Sequence, residues 1–445
     1  MVGFTVAFGV SWHNSSIAGR IMITLDNEHN HSYKVTDLKS KYTGKWRLGD
    51  VPRKPVSVDD RKVEQGSYPY ITGIAMREQT RLRYIVVKCA LVLLFTCCAQ
   101  AQPNRYVIID QDAAGPGGTD MNSILVFLQS PIVNVLGITV VAGDAWRNEE
   151  VAHTLRLLEL MGRSDIPVIP GMSAPMIRTK QWTALWEQMY GKVLYQGAWT
   201  NPRSAHAPDE VPNLTEGNPT TQAATENAAH FMSRMVHKYP HQVTIYAAGP
   251  MSNVASAILL DPQFASLAQG LVVMGGSISP HTEDPEYIDS PRHEFNFWFD
   301  PEASTITLHA PWPKVSVTTV DVSIETHLTE EMLNEIGKSK EPAARYIARY
   351  TRRAGDYLWD ELAAAAFLEP TLITRERYVY MDVSVDKGIS YGDTLVWTDQ
   401  DKPAISLQKV HAQMDVDWPK FQKMFIQLMS APTPNAKDPK MLNQQ

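Results

Sequence analysis

Three aspartates follow one short apolar run, close together in the chain. Asp110 and Asp112 come at the end of that run, and Asp120 lies beyond a Gly/Pro-rich stretch, at the start of an apolar helical pattern. This order predicts a strand, a loop and a helix. Ligands in α/β folds bind at the carboxyl ends of strands, where crowded carboxylates repel one another unless a hard cation neutralises them. The alternative is that the three aspartates only cap the turn and the helix.

Further polar residues stand near other predicted elements. Asp144 follows a predicted strand, Glu294 and Asn296 stand two positions apart, and Asp360 lies just before an alanine-rich run. The dipole of a helix N-terminus also favours an aspartate such as Asp360. Each of these residues, taken alone, is compatible with either a structural or a chemical role.

Strand-like and helix-like patterns alternate through the region that follows residue 102. This alternation predicts an α/β fold with a mostly parallel sheet covered by helices on both faces. Residues 182–219, rich in Pro, Asn, Thr and Trp, are predicted to run over the surface beside the site. The predicted strands are 105–110, 135–142, 168–169, 243–248, 271–274 and 315–322, and the predicted helices are 121–128, 149–160, 223–237 and 253–260.

Composition narrows the class of protein. The 445-residue chain has a formal net charge of −7 and a hydrophobic content of 44%. It therefore has no basic footprint for nucleic acid, and no stretch is long and apolar enough for a stable membrane span. Residues 102–432 suit one large domain, and the polar residues 433–445 are predicted to form a flexible tail.

A segment far from the first methionine has the pattern of a secretory signal peptide. Residues 76–83 are basic, 84–95 are mostly apolar, and Ala99-Gln-Ala101 has the small-x-small pattern of a cleavage site. The alternative is a buried strand or helix. We predict a signal peptide at 76–101 and a secreted or periplasmic protein. All three cysteines fall inside this segment, which argues against a disulfide scaffold or a thiol nucleophile in the mature chain. Residues 1–75 stay unassigned, and the simplest interpretation is a gene-model artefact.

The motifs and their order resemble the nucleoside hydrolases of the inosine–uridine-preferring family, from about Tyr106 to the 380s. The resemblance rests on the Asp-rich first loop, Gly-Ile-Thr-Val-Val-Ala-Gly-Asp144, Ala-Gly-Pro-Met-Ser-Asn253, Val-Val-Met-Gly-Gly276, Glu294-Phe-Asn296 and Trp359-Asp360. It implies the nucleoside hydrolase fold, a single domain with a Rossmann-like central sheet flanked by helices. It also implies an N-glycosyl hydrolase.

The resemblance also implies a site. A single Ca²⁺ would be held by Asp112, Asp120 and Asp360, with the backbone carbonyl of Ala248, and would hold a water and the ribose 2′- and 3′-hydroxyls. Asp112 would be the general base that activates that water for attack on the anomeric carbon. Further residues are expected to contact the substrate, with Glu294 and Asn296 at the ribose 5′-hydroxyl. The substrate-binding set is Asp110, Thr119, Asp144, Glu294, Asn296 and Trp359.

Three departures from the family pattern stand out. The first loop is longer than the usual Asp-x-Asp-Pro-Gly-x-Asp-Asp, and Thr119 replaces the aspartate that normally contacts the ribose hydroxyls. Asp144 replaces an asparagine, and we hypothesise that it restores the charge lost at Thr119. Trp359 replaces the histidine that protonates the leaving base in many members, since an indole can stack but cannot supply that proton. The candidates for that role are His293, Tyr357 and His206.

We therefore expect a Ca²⁺-dependent hydrolase that splits ribonucleosides into ribose and free base outside the cytoplasm. Its partner is a small-molecule nucleoside, with no nucleic acid, and a homo-oligomer is left open. Two alternatives keep the same fold. One is a hydrolase of a different N-glycoside, and the other is a binding protein for nucleosides or sugars without turnover.

Overall fold

The computed structural model describes residues 6–12, 15–21, 105–351 and 354–437. The first of its two compact units contains an antiparallel hairpin of β1 (Val6–Trp12) and β2 (Ser15–Ile21). The predicted signal peptide at 76–101 lies outside the described residues. No helix among the described residues is long and apolar enough to cross a membrane.

The second unit is built on a nine-stranded sheet in the order β10-β9-β11-β8-β7-β6-β3-β4-β5. The six strands from β8 to β5 are parallel to their neighbours, β11 is parallel to β8, and β9 is antiparallel to both β10 and β11. The mostly parallel sheet is as predicted. The strands are β3 (Arg105–Gln111), β4 (Val133–Val140), β5 (Val168–Pro170), β6 (Val243–Ala247), β7 (Gly270–Met274), β8 (Val315–Thr318), β9 (Ile373–Val383), β10 (Thr394–Trp397) and β11 (Lys409–Val416).

Helices cover both faces of this sheet. Because side chains alternate along a strand, β3 sends Val107 and Ile109 into one apolar core and Ile108 into the other. All three are fully buried, which fixes β3 between two helical layers. The helices are α1 (Thr119–Leu128), α2 (Arg147–Leu160), α3 (Lys180–Tyr190), α4 (Ala228–Lys238), α5 (Ser252–Leu260), α6 (Phe264–Leu267), α7 (Pro285–Asp289), α8 (Phe295–Phe299), α9 (Pro301–His309), α10 (Val320–Ser323), α11 (Glu330–Ile336), α12 (Pro342–Tyr350), α13 (Trp359–Leu368) and α14 (Trp418–Ser430).

Two predicted elements differ from the structure more than the others do, each at one end. The strand predicted at 315–322 ends at Thr318, and α10 begins at Val320. The helix predicted at 223–237 begins only at Ala228, because the side chain of Asn227 accepts the backbone N–H of His230 and caps it there. Local apolar patterns do not mark such boundaries, since buried strands and buried helix turns have similar compositions.

The segment 182–219 is less irregular than predicted. Helix α3 occupies its first part, and two short 3₁₀ turns follow, Gly197–Trp199 and Pro202–Ser204. Trp199 is buried and packs against Trp298 and Phe299. The segment therefore belongs to the packed domain.

The chain keeps contact with the domain beyond Pro432. Thr433 is buried, Arg163 donates to the carbonyl of Pro434, and the N–H of Lys437 donates to the carbonyl of Gly162 at 2.7 Å. The rest of the predicted tail, 438–445, lies outside the described residues.

Candidate active site

A cavity of about 610 Å³ opens where the carboxyl ends of the parallel strands meet the N-termini of α1 and α13. This is the edge of the sheet at which ligands bind in α/β folds. Its size suits a small organic molecule. The residues that line it are Ala114, Gly115, Gly117, Gly118, Thr119, Asp120, Asn122, Asp144, Tyr195, Arg203, Leu328, Gly355, Asp356, Tyr357, Leu358, Trp359 and Glu361.

Asp112 lies directly after β3, and its carboxylate is tightly enclosed. Its Oδ2 accepts the backbone N–H of Asp144 at 3.1 Å. A Cβ added at Gly143 would lie 2.8 Å from Asp112 Cγ, and one at Gly249 would lie 2.7 Å from Asp112 Oδ1. Gly249 follows Ala248, so the strand end that carries the Ala248 carbonyl is beside this carboxylate. The two glycines thus permit a close approach that any other residue would block.

Asp120 and Asp360 belong to the first turns of α1 and α13. Oδ2 of Asp120 is 3.3 Å from the N–H of Ala114, and Gln111 Nε2 donates to Asp360 Oδ2 at 2.8 Å. Gln111 also donates to Ser123 Oγ at 3.0 Å. A single amide on β3 therefore connects both helix N-termini, where the dipoles favour negative charge.

The aspartates Asp112, Asp120, Asp144 and Asp360 form the acidic cluster. Burial raises the pKa of each, to about 6 for Asp120, and the neighbouring carboxylates raise those pKa values further. Glu150 is also fully buried, and its Oε1 accepts a hydrogen bond from the N–H of Ala145 at 2.8 Å. Its carboxyl group adds to the acidic groups near the cluster, and burial raises its pKa well above the ordinary value. The cluster cannot be fully ionised without a compensating positive charge.

The chemistry of this donor set fits a hard cation, since every side-chain donor is oxygen. Among the described residues, however, no group of three His, Cys, Asp or Glu side chains converges tightly enough to form a ready-made metal site. The uncompensated charge of the acidic cluster, and not a preformed coordination geometry, indicates a cation.

Thr119 lies at the cavity but is occupied by protein partners. Its hydroxyl donates to Glu361 Oε2 and accepts the backbone N–H of Asp360 at 3.0 Å. It therefore joins the first turn of α1 to the first turn of α13.

Asp110 lies below the cavity. It is fully buried, and its Oδ1 accepts Thr139 Oγ1 at 2.6 Å and Asn253 Nδ2 at 2.8 Å. Burial raises its pKa to about 7. It does not line the cavity, and neither do Asp112 and Asp360. The hydrogen bonds of Asp110 fix β3 against β4 and α5, and its contact with a substrate stays a prediction.

Glu294 and Asn296 are buried at the start of α8. The Glu294 carboxylate accepts the N–H groups of Asn296 at 2.8 Å and of Phe297 and Gly276 at 3.0 Å. Asn296 Nδ2 donates to the carbonyl of Met274 at 3.2 Å. Both side chains fix the loop after β7, and their contact with a ribose 5′-hydroxyl stays a prediction.

Aromatic rings also line the cavity. Trp359 packs against Tyr357 at 4.8 Å and Tyr287 at 6.0 Å between ring centroids, and Trp359 and Tyr357 both line the cavity. A cavity lined by both carboxylates and aromatic rings matches a ligand with a polyhydroxyl part and a flat ring.

The model of one protein family, described as inosine-uridine preferring nucleoside hydrolase, matches residues 107–423. The chain belongs to this family.

Relatives and solved structures agree with that assignment. The chain is 29% identical over 347 residues to the probable uridine nucleosidase 1 of Oryza sativa subsp. japonica, covering 73% of this chain and 97% of the rice protein. It is 28% identical to uridine nucleosidase 1 of Arabidopsis thaliana, covering 65% and 81%. A purine-preferring ribonucleoside hydrolase from Gardnerella vaginalis shares the fold with a TM-score of 0.59 at 23% identity, covering 73% of this chain and 98% of that chain. The predicted family, fold class and N-glycosyl hydrolase activity are thus confirmed.

The structure separates the three candidates for the leaving-group acid of this family member. His206 does not line the cavity, and its Nε2 is 3.1 Å from Glu149 Oε2. His293 is buried, and burial lowers its pKa to about 4. Of the three, Tyr357 alone lines the cavity.

Four site residues were not named from the sequence. Tyr195 and Arg203 reach the cavity from the segment 182–219, and the Tyr195 hydroxyl is hydrogen-bonded to Asp144. The other two, Gln111 and Glu361, are neighbours in the chain of Asp112 and Asp360. Their adjacency to predicted ligands was the only available signal. For Tyr195 and Arg203 there was no local signal, because a distant loop brings them in.

Proposed function

We propose that this protein hydrolyses the N-glycosidic bond of ribonucleosides, releasing ribose and free base, with Ca²⁺ as its cation. The observation that carries the proposal is the Asp112 carboxylate, enclosed by Gly143 and Gly249 within the acidic cluster beside the cavity. Asp112, Asp120, Asp360 and the Ala248 carbonyl would hold the cation. When bound, it would polarise a water and the ribose hydroxyls and offset the charge of the carboxylates.

The chain's own residues supply the rest of the reaction. Asp112, held by the N–H of Asp144, would take a proton from the water that attacks the anomeric carbon. The bond between that carbon and the base nitrogen breaks, and the base nitrogen takes a proton from Tyr357 or from solvent in the cavity. The surrounding carboxylates stabilise the positive charge that develops on the ribose in the transition state.

The aromatic residues of the cavity would bind the base. Trp359 offers a face for stacking, and Tyr357 offers a hydroxyl that can donate a hydrogen bond to the departing base. Two relatives bear the name uridine nucleosidase, so uridine is the first substrate to test.

Ribose release from uridine, inosine and adenosine, with EDTA and after Ca²⁺ is restored, tests the proposal. We expect release that EDTA abolishes and Ca²⁺ recovers. Replacing Asp112 by Asn should lower turnover by at least about 100-fold, the contribution of a positioned general base. Binding of nucleosides without release from any of them would favour the non-catalytic alternative. Undiminished ribose release in EDTA would show that the reaction needs no cation.

We also propose that the enzyme acts outside the cytoplasm, which rests on the signal-like pattern at 76–101. Fractionation of the native source should place the activity in the secreted or periplasmic fraction.

A further inference from the structure

The hydroxyl of Thr119 has little capacity left for a substrate. A threonine hydroxyl has one proton to donate and two lone pairs. The proton goes to Glu361 Oε2, and one lone pair receives the N–H of Asp360 at 3.0 Å. Thr119 therefore cannot donate to a ribose oxygen without losing Glu361.

Glu361 has the capacity that Thr119 lacks. It is 1% exposed, lies in the first turn of α13, and is one of the residues that line the cavity. Its carboxylate has about four acceptor positions. The side chains of Thr119 and Asn122 and the backbone N–H of Glu361 itself donate to it. About one acceptor position therefore remains for a further hydroxyl donor.

The position of Glu361 also restores a carboxylate next to residue 119. From the sequence, Asp144 was hypothesised to restore the negative charge that is lost at Thr119. In the structure Asp144 is instead bonded through its side chain to Tyr195 and through its N–H to Asp112. Glu361 is the carboxylate in direct contact with Thr119.

We propose that Glu361 replaces the missing first-loop carboxylate and accepts a hydrogen bond from a ribose hydroxyl of the substrate. This inference rests on the proposed function. Glu361 is then a specificity-determining residue for the vicinal diol, supplied by α13 and oriented by Thr119.

The test compares four variants with the wild type: Glu361→Gln, Thr119→Val, the double variant Thr119→Asp with Glu361→Gln, and Glu369→Gln as control. Glu369 ends the same helix, partly exposed and away from the cavity. For each protein we would measure kcat and KM for uridine and 2′-deoxyuridine, the Ca²⁺ affinity by calorimetry, and the melting temperature.

Glu361→Gln should lower kcat/KM for uridine by about 10-fold to 100-fold, as expected for loss of a hydrogen bond to a charged group. The preference for uridine over 2′-deoxyuridine should fall with it. Thr119→Val keeps the Glu361 carboxylate, so its kcat/KM for uridine should fall less. The double variant should recover most of the preference for uridine over 2′-deoxyuridine. Glu369→Gln should have the kcat and KM of the wild type.

An unchanged sugar preference in Glu361→Gln would overturn the inference. So would equal losses in Thr119→Val and Glu361→Gln, because Glu361 would then act only by holding the first loop. If the wild type releases no ribose, the proposed function fails, and calorimetric binding of uridine and 2′-deoxyuridine to the same variants still decides the role of Glu361.

Discussion

Replacing Gly143 by alanine should displace the carboxylate on which the proposed chemistry depends. The added Cβ would overlap Asp112 Oδ2 and lie 2.8 Å from Cγ and 2.9 Å from Cβ of the same residue. Both carbon distances are below 3.0 Å, which real Cβ contacts essentially never show. The whole carboxyl group, and not only its tip, must therefore retreat.

The size of the effect follows from that retreat. Carbon atoms in ordinary contact are at least 3.4 Å apart, so Asp112 has to move by roughly 0.5–1 Å, and a misplacement of that order costs about 100-fold in rate. Overpacking of a well-packed site also costs about 1–3 kcal/mol of folding free energy. At Gly249 the nearest atom is Oδ1 at 2.7 Å. This smaller overlap predicts a smaller loss of rate.

Ribose release from uridine, with thermal unfolding measured in parallel, provides the assay. Gly388→Ala is the matched control, because no atom lies within 4 Å of its added Cβ. We expect activity to decrease in the order Gly388→Ala, Gly249→Ala, Gly143→Ala. The Gly143→Ala protein should still be folded. Full activity in a folded Gly143→Ala protein would refute the reasoning that Asp112 is fixed by this enclosure.

Three further predictions concern charge, stacking and processing. Burial raises the pKa of Asp120 to about 6 and of Asp110 to about 7, so the folded, metal-free protein binds more protons than the unfolded chain between about pH 4 and 7. Its melting temperature in EDTA should therefore fall as pH rises through this window, and Ca²⁺ should raise it most near pH 7; a Ca²⁺ effect equal at pH 5 and pH 7 would contradict this. Trp359→Ala should raise KM for uridine about tenfold, since stacking on an aromatic ring contributes about 1–3 kcal/mol per base, whereas unchanged KM would exclude a base contact. N-terminal sequencing of the native protein should begin near Gln102, and recovered peptides from 1–75 would reject the processing prediction.

The residues that belong to regular local patterns were predictable. The run before Asp110 and the alternation of strands and helices gave the parallel sheet, since the periods of apolar residues are local properties of the chain. Asp112, Asp120 and Asp360 were named as ligands because the motifs around them resemble those of the family. The boundaries at Thr318 and Ala228 were not predicted, because capping and packing decide them.

What the sequence by itself determined is therefore the family, the sheet and the identity of most acidic residues. Only the tertiary structure decided which of them face the cavity. Asp110 and Asp112 are two positions apart, yet Asp110 is hydrogen-bonded to Thr139 and Asn253 whereas Asp112 lies among the other carboxylates of the acidic cluster. Glu361, unremarked in the sequence, contacts Thr119 from 242 residues away. Such contacts depend on how the N-termini of two helices meet at the edge of the sheet. No local pattern in the chain specifies which distant residues come together there.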